Sequence, residues 1–86
     1  MTVHDVKATI RSGNTFAEES SKMLRQVKDR LTETAILAHE TLHNSHDQDV
    51  DAGLQLLVRV ERTLDETIEI LREAVGHAET FTRDLG

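Results

Sequence analysis

The sequence predicts an all-α fold: an antiparallel two-helix hairpin, dimerising into a four-helix bundle. Three observations predict it. Apolar residues recur at alternating spacings of three and four along nearly the whole chain, which places them on one stripe of an α-helix. That rhythm breaks only once, over the polar stretch His43-Asn44-Ser45-His46-Asp47-Gln48-Asp49. The 86 residues include no Pro and only two aromatic side chains, both Phe, a composition that suits long uninterrupted helices and disfavours sandwiches.

A single domain over residues 1–86 is expected, with a helix at about 3–43, a turn at about 44–48 and a helix at about 49–83. In the first helix the stripe reads Val3, Val6, Ile10, Gly13, Ala17, Ser20, Leu24, Val27, Leu31, Thr34, Ala38. Thr2 is its expected N-cap, with Asp5 favoured by the helix dipole. Ser12-Gly13-Asn14 is a weak point, because Thr15 and Glu18 form a capping-box pattern just beyond it. A short helix followed by a main one from about residue 15 therefore competes with one continuous helix. The unbroken register through Gly13 favours the continuous helix, bent at that point. The second stripe reads Val50, Leu54, Leu57, Glu61, Leu64, Ile68, Leu71, Val75, Ala78, Thr82, Leu85, and Ser45, Asp47 or Asp49 can cap it.

A short polar connection makes the two helices antiparallel neighbours, so facing residue numbers should add to about 93. Phe16 then comes near Gly76, and Phe81 near Gly13. Each pair is expected to pack a ring against a glycine, with substitution of either glycine by Leu overfilling the space. Val27, Leu31, Leu57, Leu64, Ile68 and Leu71 form the broadest apolar stretch and are the expected seam for association. Glu61 interrupts it. The preferred reading is a partly exposed acid beside Arg59 or Arg62; the alternative is a register-fixing group near Thr32 and Thr34.

The net charge of −6 is unevenly spread: residues 1–46 carry six Lys/Arg and six Asp/Glu, whereas residues 47–86 carry four Arg and ten acids. This balance opposes binding to phosphate backbones and anionic lipid, so no nucleic-acid partner is expected. No apolar run is long enough to span a bilayer, so no membrane insertion is expected. The start lacks the basic and apolar regions of a secretory signal, which gives an expectation of cytoplasmic synthesis with export by a route without a cleaved signal left open. With no Cys, neither disulfides nor thiolate metal sites can staple so small a chain, and oligomerisation is the expected remedy.

Three motifs bear on chemistry. His39-Glu40-Thr41-Leu42-His43 matches H-E-x-x-H, in which two imidazoles four residues apart share a helix face and can bind zinc. His46 would be a third ligand if the helix continued. Such a protease motif also needs a substrate cleft and an edge strand, and a hairpin of this length supplies neither, so solvated histidines at a helix C-terminus are the preferred reading over zinc binding by His39, His43 and His46. His39-Glu40 on a hairpin also resembles the phosphoacceptor domain of sensor histidine kinases, but no Pro follows the His and no ATP-binding domain is attached. Asp47-Gln48-Asp49-Val50-Asp51 opens like a calcium loop, yet the expected Gly is Ala52 and the closing acid is Val58, so capping by acids is the better account. No catalytic residue emerges, and no enzyme activity or cofactor is expected.

Two long seam-bearing helices around a central polar turn resemble the WXG-type small helical hairpins of type VII secretion, over the whole chain. The turn, His43-Asn44-Ser45-His46, contains no W-x-G. The nearest approach to the family's tail signal, Phe81-Thr82-Arg83-Asp84, is one residue short and lacks the tyrosine hydroxyl. A divergent member is implied, and no functional residue carries over. The resemblance implies homodimers or heterodimers of hairpins acting as secreted factors, adaptors or partners of larger effectors. A non-enzymatic interaction module in that setting is the expectation; a cytosolic adaptor or regulatory dimer, or a His-cluster metal-binding module, is the alternative.

Overall fold

Local sequence fixes both ends of each helix. At the N-terminus, the Asp5 backbone N–H donates to Thr2 Oγ1 and the Thr2 N–H donates to Asp5 Oδ2, both at 3.1 Å. This reciprocal box satisfies two donors that a helix start otherwise leaves open. From it α1 runs unbroken over Val3–Leu42 in the computed structural model, which describes residues 1–86. The alternative start at Thr15 is not used: its hydroxyl donates instead to the Arg11 carbonyl one turn back, at 3.1 Å. Gly13 lies inside the helix.

The connection spans residues 43–47 and needs no left-handed residue, since the only positive φ in the chain belongs to Gly86. The Ser45 N–H donates to the Leu42 carbonyl at 2.8 Å, and the Asp47 N–H to Ser45 Oγ at 3.2 Å. Of the three candidate caps, Asp47 is the one that begins α2 (Gln48–Asp84), accepting from the Asp49 N–H at 2.8 Å. Asp49 and Asp51 fall in the first turn, where the helix dipole favours negative charge.

The two helices lie antiparallel as a rod of 63 × 16 × 15 Å. No backbone hydrogen bond joins them, so side chains alone hold the hairpin closed. Two polar contacts fix the register. Thr32 Oγ1 donates to Glu61 Oε2 at 3.2 Å, and the Lys28 ammonium meets Asp65 Oδ1 at 2.6 Å. Both pairs of residue numbers add to 93, the value the position of the turn demands. Glu61 is therefore the register-fixing group opposite Thr32, and neither Arg59 nor Arg62 forms an ion pair with it.

On α2 every residue of the expected stripe, from Val50 to Leu85, turns inward and loses most of its exposure. On α1 half of the stripe does so: Val6, Ile10, Ala17, Leu24, Leu31 and Ala38. The intervening inward positions are Asn14, Ser21, Lys28 and Ala35, each one residue beyond the expected Gly13, Ser20, Val27 and Thr34. One residue is a 100° rotation on a helix, so this choice decides which flank of α1 is hidden. Small Ser21 and Ala35 permit close approach, and the Lys28 stem can lie along the seam while its ammonium reaches Asp65. The larger Val27 is left 49% exposed.

Candidate interaction faces

The inward stripes divide the rod into two broad faces. Residues flanking the stripes on one side are Arg11, Glu18, Arg25, Thr32 and His39 from α1, with Val58, Asp65, Arg72 and Glu79 from α2. That these share a side is shown by the Lys28–Asp65 and Thr32–Glu61 contacts and by an open groove lined by Thr32, Ile36, His39, Leu54, Val58 and Glu61. A second open groove on the same side, at the end away from the turn, is lined by Lys7, Arg11, Glu18, Glu79 and Arg83 among others. This is the charged face. Its outer α2 edge carries a bidentate pair in which Arg72 Nη2 and Nε donate to Glu69 at 2.7 and 3.2 Å. That hydrogen bond holds the Glu69 carboxyl below its ordinary value and the Arg72 guanidinium above its own. Across the seam, the hydrogen bond to Asp65 likewise raises the Lys28 ammonium.

The opposite face has a different character. It presents Phe16, Met23, Val27 and Leu37 from α1, and Leu56, Val60, Ile70 and Phe81 from α2, all exposed. Small residues lie between them, including Gly13, Ser20 and Ala74. From Val6 to Thr41 on α1 and from Gly53 to Phe81 on α2, Arg30 is the only Lys, Arg, Asp or Glu on this side, in a chain that is 30% charged. Three of its threonines are also internally satisfied. Thr34, Thr63 and Thr67 donate their hydroxyls to the carbonyls of Arg30, Arg59 and Thr63, at 2.8 to 3.0 Å. A hydroxyl bonded to its own helix leaves its methyl group as the surface a neighbour would meet.

Burial within the chain is slight. Only Ser21 and Ile68 are buried, at 7% and 9% exposure, and no side chain is fully enclosed. The accessible surface is 6794 Å², whereas a compact chain of 9.7 kDa exposes about 5,100 Å². About 1,700 Å² is therefore in excess. The elongated rod accounts for it geometrically, and the uncharged face is part of what it leaves uncovered.

The structure redistributes the residues expected to matter. Leu31, Leu57, Leu64, Ile68 and Leu71 all lie on the seam inside the hairpin, so their first partner is the other helix of the same chain. Val27 leaves that seam for the uncharged face. Neither glycine–phenylalanine pair forms: a Cβ placed on Gly13 or Gly76 meets nothing within 4 Å. Phe16 is 69% exposed and Phe81 53%. Gly76 projects on the charged side, across the rod from Phe16, because it follows the inward Val75 by 100°. The overfilling expected of larger residues at Gly13 and Gly76 is thus corrected to open space. The sequence does carry a signal for the uncharged face that the single-stripe reading passes over. Phe16, Met23 and Leu37 share one seven-residue repeat, and Leu56 and Ile70 another.

The histidine cluster also separates. α1 ends at Leu42, so the helix does not carry His46 onto the face of His39 and His43. His43 Nδ1 instead lies 2.7 Å from the Glu40 carbonyl, and all three rings are exposed. No group of three or more His, Asp or Glu side chains converges anywhere in the chain, so a three-histidine zinc site is not assembled. Nor is any helix long and apolar enough to cross a membrane. No protein-family model, curated protein or solved structure matches this chain.

Proposed function

We propose that this chain is a non-enzymatic protein-interaction module whose hairpin completes its core by packing its uncharged face against other helices. The single observation that carries the reading is that eight of the thirteen exposed large apolar side chains lie on one broad face, against Ile36 and Val58 on the other, of a rod with almost no interior of its own. Exposed apolar patches on soluble proteins mark interaction surfaces. Type VII secretion remains the proposed setting; its support is the shape of two near-equal helices around a polar turn, because the turn and tail lack the family's signatures.

Thermal melting followed by circular dichroism over a wide concentration range tests the reading. An interaction module loses cooperativity when diluted alone, and its melting temperature rises with its own concentration or with an added partner. A chain that stays monomeric and melts cooperatively at a concentration-independent temperature would overturn it.

A further inference from the structure

We infer that the uncharged face is covered by a second copy of this chain, laid with its turn at the opposite end of the rod. The inference rests on the interaction reading above and names its partner and geometry. Area is the first argument. An ordinary stable interface covers about 800 Å² on each partner. The whole rod exposes about 1,700 Å² more than a compact chain of its mass, about twice what covering one such face removes from each copy.

Charge supplies the second argument. A twofold contact brings a surface against itself, so it must contain no charge that repels its own image. The uncharged face meets that condition along nearly its whole length, with the hydroxyls of Thr34, Thr63 and Thr67 already satisfied within each helix. Arg30 is the exception. It falls in the same seven-residue row as Phe16, Met23 and Leu37 and lines a surface groove with Asp29 and Glu33, where acids are at hand. The charges that could select a different protein lie on the other side of the rod.

The orientation follows from the ends. Residues 37–57, at the turn, hold Glu40, Asp47, Asp49 and Asp51 and no Lys or Arg. The opposite end balances Lys7, Arg11 and Arg83 against Asp5, Glu79 and Asp84. Two copies with turns together would stack two acidic ends. Two copies with turns apart separate them by most of the 63 Å rod, far beyond the Debye length of about 8 Å. The same arrangement sets the two Arg30 residues about 20 Å apart along the bundle instead of at one level.

The full-length chain tests this directly. Sedimentation equilibrium should give a dimer, weakened at least ~100-fold in Met23→Glu with Ile70→Glu, because a carboxylate in an apolar contact must be desolvated or protonated. Ile36→Glu with Val58→Glu, on the charged face, should leave dimerisation within about threefold. Because the chain has no Cys, spin labels on Thr41→Cys report orientation cleanly. Turns apart predicts a label separation of roughly 55 Å. A short separation overturns the orientation. A dimer lost with Ile36→Glu and Val58→Glu, but kept with Met23→Glu and Ile70→Glu, overturns the face. A chain that stays monomeric and poorly folded until another protein's helices are supplied overturns the second copy and leaves the interaction reading standing. A cooperatively folded monomer overturns both.

Discussion

The two broad faces of this rod are made from the same two helices, yet they solve opposite problems. The charged face holds the cross-helix contacts, Lys28–Asp65 and Thr32–Glu61, together with the Glu69–Arg72 pair, so its polar groups are satisfied partly by one another and otherwise by water. The uncharged face holds large apolar side chains that nothing in the chain covers. Exposed ion pairs contribute little to stability, so the charged face chiefly sets register and solubility. Apolar area is what a helical bundle uses to stay together, and this hairpin shows much of its area on one side. Its folding and its association are therefore expected to be coupled.

The largest effect should come from between the faces. Ile68 is the most hidden apolar side chain, and Ile68→Ala should cost roughly 2–5 kcal/mol in urea unfolding. A loss under about 1 kcal/mol would mean that the seam inside the hairpin is not where its stability lies. Next comes a matched pair that weighs the faces against each other. Ile70→Ala and Ile36→Ala remove similar exposed groups from opposite sides. Ile70→Ala should cost about 1–2 kcal/mol of apparent stability at concentrations where the chain associates, and Ile36→Ala about half a kcal/mol or less. Equal losses would erase the distinction.

Smaller effects sharpen the picture. Gly76→Ala should raise stability by about 1 kcal/mol, since alanine is the better helix former and its Cβ meets nothing on the charged face. Gly13→Ala should gain the same in the isolated hairpin, and a smaller gain, or a loss, once the uncharged face is occupied. Asp47→Ala removes the cap that starts α2 and should cost about 1 kcal/mol, read as a lower thermal midpoint.

The smallest effect is one of pH. Glu69 is held below its ordinary value of 4.5 by Arg72, so its contribution is present above that value and fades as pH falls through the lower folded value. Wild type should lose slightly more thermal stability than Glu69→Gln over that acid range. The group is exposed, so a large difference would point to a role beyond the local pair.

The hairpin was legible because its signals are local and repeated. Thr2 with Asp5, Asp47 before the second stripe, and a three-and-four rhythm on either side of one polar stretch are properties of neighbouring residues. So is the inward series of α2, where Leu54, Leu57, Leu64, Ile68 and Leu71 leave little choice of face. On α1 the apolar character is spread around more of the helix. Val27 outweighs Lys28 by hydropathy, yet Lys28 lies inward, because only the partner helix supplies Asp65. The uncharged face was hidden for the same reason: Phe16 and Ile70 become neighbours on one surface only when the helices are brought together antiparallel.

The sequence by itself determined two capped helices, the bend between them and the buried edge of the second, since hydrogen bonding and hydrophobic period act over a few residues at a time. The tertiary structure alone decided the rotation of the first helix, the pairing of Glu61 with Thr32, and the sorting of charge to one side of the rod. Those depend on which of two adjacent flanks, a single residue apart, is pressed against the other helix, and that is settled by shape and charge across the seam.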